Sequence, residues 1–183
     1  LVKAQELERQ GRSIIHMEVG EPDFITAQPI IDAGKVALEQ GQVFYSPANG
    51  LKELKLAISG FYKHRYGLDV VPERIVVTPG ASGALLLALG LLVNPDDQVL
   101  LTDPGYPCNR HFVRVVEGQP VLLPVTADTN YQFTLEQVRS KWSAATAGVL
   151  ISSPSNPTGT VIPRSELEAI VGFVRQKSGF VIV

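Results

Sequence analysis

The chain has 183 residues, 45% of them hydrophobic and 19% charged, a balance that supports one sizeable core and excludes the disordered and fibrous classes. Its formal net charge is −2, from 16 basic and 18 acidic residues interspersed along the sequence, so no basic face points to nucleic acid or to an anionic membrane. A small polar ligand is the expected partner. The single cysteine, Cys108, excludes an internal disulfide framework and fits a reducing, cytoplasmic compartment. His16, His64 and His111 are scattered, and no Cys or His pair has ligand spacing, so no metal is expected.

In chain order, residues 2–10 are charged and helix-compatible up to Gly11, and residues 14–19 alternate like a short strand before Gly20, Glu21, Pro22, Asp23 and Phe24. A second helical pattern begins at Thr26, runs through Ile30, Ile31, Val36 and Leu38, and stops at Gly41. A loop holding Tyr45, Pro47 and Gly50 leads into a helix over residues 51–66, with Leu51, Leu54, Ile58, Phe61, Tyr62 and Tyr66 near one face.

From Ile75 the pattern becomes regular. Strands are predicted at 75–77, 98–102, 120–124, 149–152 and from 180 onward, with helices at 82–93, 108–117, 135–142 and 164–177 and a turn at 128–131. Strands alternating with helices imply right-handed crossovers: an α/β fold with a mainly parallel sheet and helices on both faces. The apolar run at 84–93 is about half of the ~20 residues a membrane span needs, and reads as a buried helix. The sequence opens on Leu1 and closes on Gly179, Phe180, Val181, Ile182 and Val183, which read as a strand just beginning. The expectation is an amino-terminal portion of a longer protein, with a removed leader segment left open.

Three of these strand ends carry side chains suited to a site. After the first comes Thr78-Pro79-Gly80-Ala81-Ser82-Gly83-Ala84, a small-residue turn entering a helix. There the amides of Gly80, Ala81 and Ser82 and the Ser82 hydroxyl can face an anion such as phosphate. The turn is neither the G-x-G-x-x-G of a dinucleotide fold nor a Walker loop, and Ser82 serves equally well as a plain N-cap. After the second comes Asp103-Pro104-Gly105-Tyr106-Pro107, where two prolines restrict the backbone around one aromatic. Tyr106 is able to lie over a planar ring or simply to pack. The third ends in Ser153-Pro154-Ser155-Asn156-Pro157-Thr158-Gly159. That frame holds the Asn156 amide either as a donor to a phenolate-type oxygen or as an Asx turn closing the loop. Tyr45 offers a hydroxyl on a loop that can reach a phosphate. Convergence of three strand ends on one sheet edge favours the functional readings.

Taken together and in order, the stretches at 20–24, 45–50, 78–85, 104–107 and 155–159 resemble the class I/II, aspartate-aminotransferase-like enzymes of pyridoxal-phosphate fold type I. The resemblance covers nearly the whole chain. It implies that Gly80, Ala81 and Ser82 bind the phosphate of pyridoxal 5'-phosphate, that Tyr106 stacks on its ring, and that Asn156 hydrogen-bonds its phenolic oxygen. It further implies that Tyr45 reaches a partner subunit's cofactor phosphate across a homodimer, and that the backbone of Gly20 meets a substrate carboxylate. Residues 1–41 would be an arm and part of a small domain, and 42–183 the cofactor-binding large domain.

The family's cofactor-binding lysine, pyridinium-binding aspartate and substrate-clamping arginine belong to later segments. The seven lysines present, Lys3, Lys35, Lys52, Lys55, Lys63, Lys141 and Lys177, sit in helix-like or terminal stretches and read as surface residues. The function implied is amino transfer between an amino acid and a 2-oxo acid by the full-length protein, the 183-residue piece alone being inactive. The same cofactor scaffold also serves C–S β-lyases, aminocyclopropane-forming enzymes and decarboxylases, or a non-catalytic effector-sensing domain.

Overall fold

The computed structural model describes residues 1–17 and 20–183, which form two compact units, Leu1–Pro47 and Ala48–Val183. In the first unit, helix α1 (Val2–Arg9) has Gln10 at its C-cap and is followed by Gly11, whose φ of +82° suits a residue without a Cβ. Helix α2 (Gln28–Glu39) has Pro29 in its first turn and ends before Gly41, at φ +67°. Residues 14–17 form no strand, and the rest of the stretch predicted there lies outside the described residues.

In the second unit, helix α3 (Lys52–Tyr66) is followed by a 3₁₀ turn, Pro72–Arg74. Then come α4 (Gly80–Leu92), β1 (Gln98–Asp103), α5 (Cys108–Val115), β2 (Gln119–Pro124), α6 (Leu135–Lys141), β3 (Thr146–Leu150), α7 (Arg164–Gln176) and β4 (Phe180–Ile182). The four strands form one sheet in the order β2-β1-β3-β4, and every pairing is parallel.

Both faces of the sheet are covered, which is why its strands read as continuous apolar runs rather than alternating ones. On one face Val121, Leu100, Val149 and Val181 lie side by side in register and pack with Val138 of α6 and with Ile170 and Val174 of α7. On the other, Leu122, Leu101, Leu150 and Ile182 pack with Leu85 and Leu89 of α4 and Val113 of α5.

Two expectations need correcting. Residues 75–77 are extended but stand outside the sheet, because the amide of Val77 donates to the carbonyl of Asn49 instead of to a neighbouring strand. Helix α4 is not buried all round: Leu89 is wholly buried, but Leu87 and Leu91 are 62% and 84% exposed. Its uniformly apolar sequence hides the single face that the sheet covers.

Candidate functional site

The parallel register puts the carboxyl ends of β1 and β3 at the same edge of the sheet, the edge where open α/β sheets hold ligands. Helix α4 leads through a short turn to the start of β1, so it runs back along the sheet. It packs Leu85 and Leu89 against the face formed by Leu101, Leu122 and Leu150.

A crevice opens there, lined by Leu101, Thr102, Gly105, Tyr106, Asn109, Arg110, Leu122, Leu150 and Ser152. Its floor is apolar, from β1, β2 and β3, and its rim is polar. The turn after β1 folds back so closely that a Cβ on Gly105 would lie 2.6 Å from the carbonyl oxygen of Thr102, so only glycine is accommodated. Tyr106 follows at once, 37% exposed, with its phenol held above the usual tyrosine range by a hydrogen bond with Cys108. Arg110 sits 3.9 Å from Asp103 at the rim, a partly exposed pair worth little to stability but enough to keep a cation at the mouth.

Asn109, in the first turn of α5, supplies the sharpest signal: its Oδ1 is buried without a hydrogen-bond partner among the described residues. A buried amide oxygen left unpaired costs roughly 1–3 kcal/mol, so it marks a place where a donor belongs.

Of the residues singled out from the sequence, Tyr106 lines the crevice. Gly80, Ala81 and Ser82 are exposed in the first turn of α4, which starts two residues earlier than predicted. Pro79 therefore occupies the cap position, and Ser82 makes no capping bond, which removes the plain N-cap reading. Asn156 is exposed in the turn after β3, and that turn is not closed by its side chain. Backbone bonds from Ser155 N to the Thr160 carbonyl and from Gly159 N to the Ser155 carbonyl, both 2.8 Å, close it instead. The Asx-turn reading falls, and the Asn156 amide has no hydrogen-bond partner among the described residues. Tyr45 and Gly20 belong to the first unit, where both are exposed. Asn109, Arg110 and Ser152 escaped the sequence reading; the available signal was a helix starting directly after Pro107, which sets first-turn side chains beside Tyr106.

The sequence profile of the family "Aminotransferase class I and II" matches residues 12–183. The chain belongs to that family. Among curated relatives of this aminotransferase-family chain, the (5-formylfuran-3-yl)methyl phosphate transaminase of Methanocaldococcus jannaschii is 39% identical over 168 residues, 92% of this chain and 43% of the relative. The aspartate aminotransferase of Bacillus sp. strain YM-2 is 38% identical over 168 residues, with the same coverage. Among solved structures, an aminotransferase from Mycobacterium tuberculosis superposes with a TM-score of 0.93 at 33% identity, covering 98% of this chain and 46% of that one. The Thermus thermophilus aspartate aminotransferase with maleate gives 0.93 at 32% identity, covering 98% and 47%. The chain thus spans under half the length of the relatives it matches, and its fold is that of the pyridoxal-phosphate-dependent, fold type I transferases. Among the described residues, no helix is long and apolar enough to cross a membrane.

Proposed function

We propose that the full-length protein carrying this chain is a pyridoxal-5'-phosphate-dependent aminotransferase that moves an amino group between an amino acid and a 2-oxo acid. The observation that carries the reading is the family match over residues 12–183, supported by a crevice in which Tyr106, the unpaired amide oxygen of Asn109 and the Arg110 guanidinium border an apolar floor at the carboxyl ends of β1 and β3. An aromatic surface, an unpaired amide oxygen and a cation gathered at one sheet edge support a planar anionic ligand beside it. Family membership supports reading that group as pyridoxal phosphate.

In this reading Gly80, Ala81 and Ser82 hold the phosphate through outward backbone amides and one hydroxyl at a helix amino terminus, where the macrodipole favours an anion. Tyr106 covers the ring plane and excludes water from it. Asn156 donates to the phenolic oxygen and favours its anionic form. When bound, the cofactor supplies an electron sink for charge left on a substrate carbon after a proton is removed. This chain's residues orient that sink and tune its charge; they do not themselves move the substrate proton. Gly20 offers a backbone contact to the substrate carboxylate, and Tyr45 a hydroxyl to the phosphate of a partner subunit in a homodimer. Residues 1–41 form the arm and part of the small domain, and 42–183 the cofactor domain. The setting is cytoplasmic amino-acid biosynthesis.

The test is product analysis with full-length protein, pyridoxal phosphate, an amino acid and either pyruvate or 2-oxoglutarate. Amination of the 2-oxo acid is the expected outcome. Ammonia release without amination would refute the reading in favour of elimination chemistry. The 183-residue chain alone is expected to carry out neither.

A further inference from the structure

Gln132 is 1% exposed, between Tyr131 and the buried ring of Phe133, yet it is polar. Its Nε2 donates to the carbonyl of Thr160 at 2.6 Å and lies 3.4 Å from both the carbonyl of Ser152 and the hydroxyl of Thr160. Ser152 and Thr160 are the two feet of the turn that carries Asn156. One buried side chain therefore ties both ends of that turn together from below. Other bonds restrain the turn from within: Ser155 N donates to the Thr160 carbonyl and Gly159 N to the Ser155 carbonyl, both at 2.8 Å, Ile162 N donates to Ser153 Oγ at 3.1 Å, and the hydroxyls of Thr158 and Thr160 meet at 2.9 Å; Gln132 differs in reaching both feet from outside the turn. An apolar residue of similar volume would suit the neighbourhood of Phe133 but would withdraw the one side-chain donor that, among the described residues, reaches both feet. A buried amide at this position is accounted for by the carbonyls it satisfies and the turn it fixes.

We propose that Gln132 is a positioning residue, whose buried amide holds the Ser152–Thr160 turn so that Asn156 presents its side chain to the cofactor's phenolic oxygen; this rests on the function proposed above. The amide does not touch the ligand. Its effect is to spend no binding energy on ordering the turn, since the turn is already set when the ligand arrives.

The experiment uses full-length protein loaded with pyridoxal phosphate and compares wild type, Gln132→Met, Asn156→Ala and the double variant. The readouts are cofactor affinity and the pH midpoint of the bound cofactor's visible absorbance. Asn156→Ala is expected to weaken the cofactor about tenfold, the worth of one hydrogen bond to an ionised group, and to move the midpoint to higher pH. Gln132→Met should move the midpoint the same way, and the double variant should go no further than Asn156→Ala alone, because both changes remove one contact. A shift on Asn156→Ala with none on Gln132→Met, even with lowered thermal stability, overturns the clamp and leaves the site reading intact. No shift on Asn156→Ala overturns the reading of Asn156 itself, and the clamp falls with it. Should Gln132→Met fail to fold, Gln132→Asn, whose shorter side chain withdraws the donor from the two carbonyls while keeping the amide, takes its place and is read by the same outcomes.

Discussion

A Cβ built on Gly148 of β3 would lie 2.5 Å from the ring of Phe180, its partner residue on β4. The ring lies across the open face that glycine leaves, and so β4 closes against the sheet edge. Gly148→Ala in the full-length protein is expected to cost about 1–3 kcal/mol, the usual cost of overpacking a core. Phe180→Leu added to that variant should return part of the loss. Urea unfolding of wild type, Gly148→Ala, Phe180→Leu and the double variant checks this, and wild-type stability for Gly148→Ala would show that the ring yields freely.

Helix α6 is fastened at its start by reciprocal bonds. The hydroxyl of Thr134 accepts from Gln137 N at 3.2 Å, and the Gln137 amide oxygen accepts from Thr134 N at 3.0 Å. Glu166 of α7 takes the amide of Leu135, which ties the two helices on that face together. Thr134→Ala is expected to cost about 1 kcal/mol, as for other caps. The same unfolding measurement reads it.

Tyr106 keeps its proton to higher pH than an ordinary tyrosine, first through the hydrogen bond with Cys108 and then through the charge interaction with that thiol. A raised value favours the neutral phenol, so whatever the bond contributes is present below the ordinary tyrosine range and is lost as pH rises through the raised one. Cys108→Ala should lower the pH at which Tyr106 ionises. Tyrosinate absorbance, with Tyr106→Phe as the subtraction control, measures it, and an unmoved titration would contradict the assigned cause.

Asn109 separates stability from binding. Replacing it with leucine removes a buried acceptor that has no donor among the described residues, so the ligand-free protein is expected to hold or gain stability. Affinity for pyridoxal phosphate should fall about tenfold by the same reasoning in reverse. Thermal melts with and without the cofactor provide the comparison; equal losses in both would make Asn109 a packing residue.

The layered sheet was legible because β1, β3 and β4 are short apolar runs separated by helical spacing, and parallel pairing follows from that alternation. Residues 75–77 carry the same local signal but gain no ladder partner, a non-local fact that periodicity cannot hold. Helix α4 is apolar on every side, so its sequence could not reveal that Leu87 and Leu91 face outward. At the site, Tyr106 announced itself through the prolines around it. Asn109 and Gln132 did not, since an isolated amide between ordinary neighbours gains meaning only when burial leaves it unpaired, as at Asn109, or ties it to two distant carbonyls, as at Gln132.

The most direct test of the crevice is an equilibrium titration of the full-length protein with pyridoxal phosphate, comparing wild type with Tyr106→Leu. Loss of the aromatic face is expected to weaken binding about tenfold, from stacking worth on the order of 1.4 kcal/mol. Wild-type affinity in the variant would contradict the assignment of this crevice as the place where the cofactor ring lies.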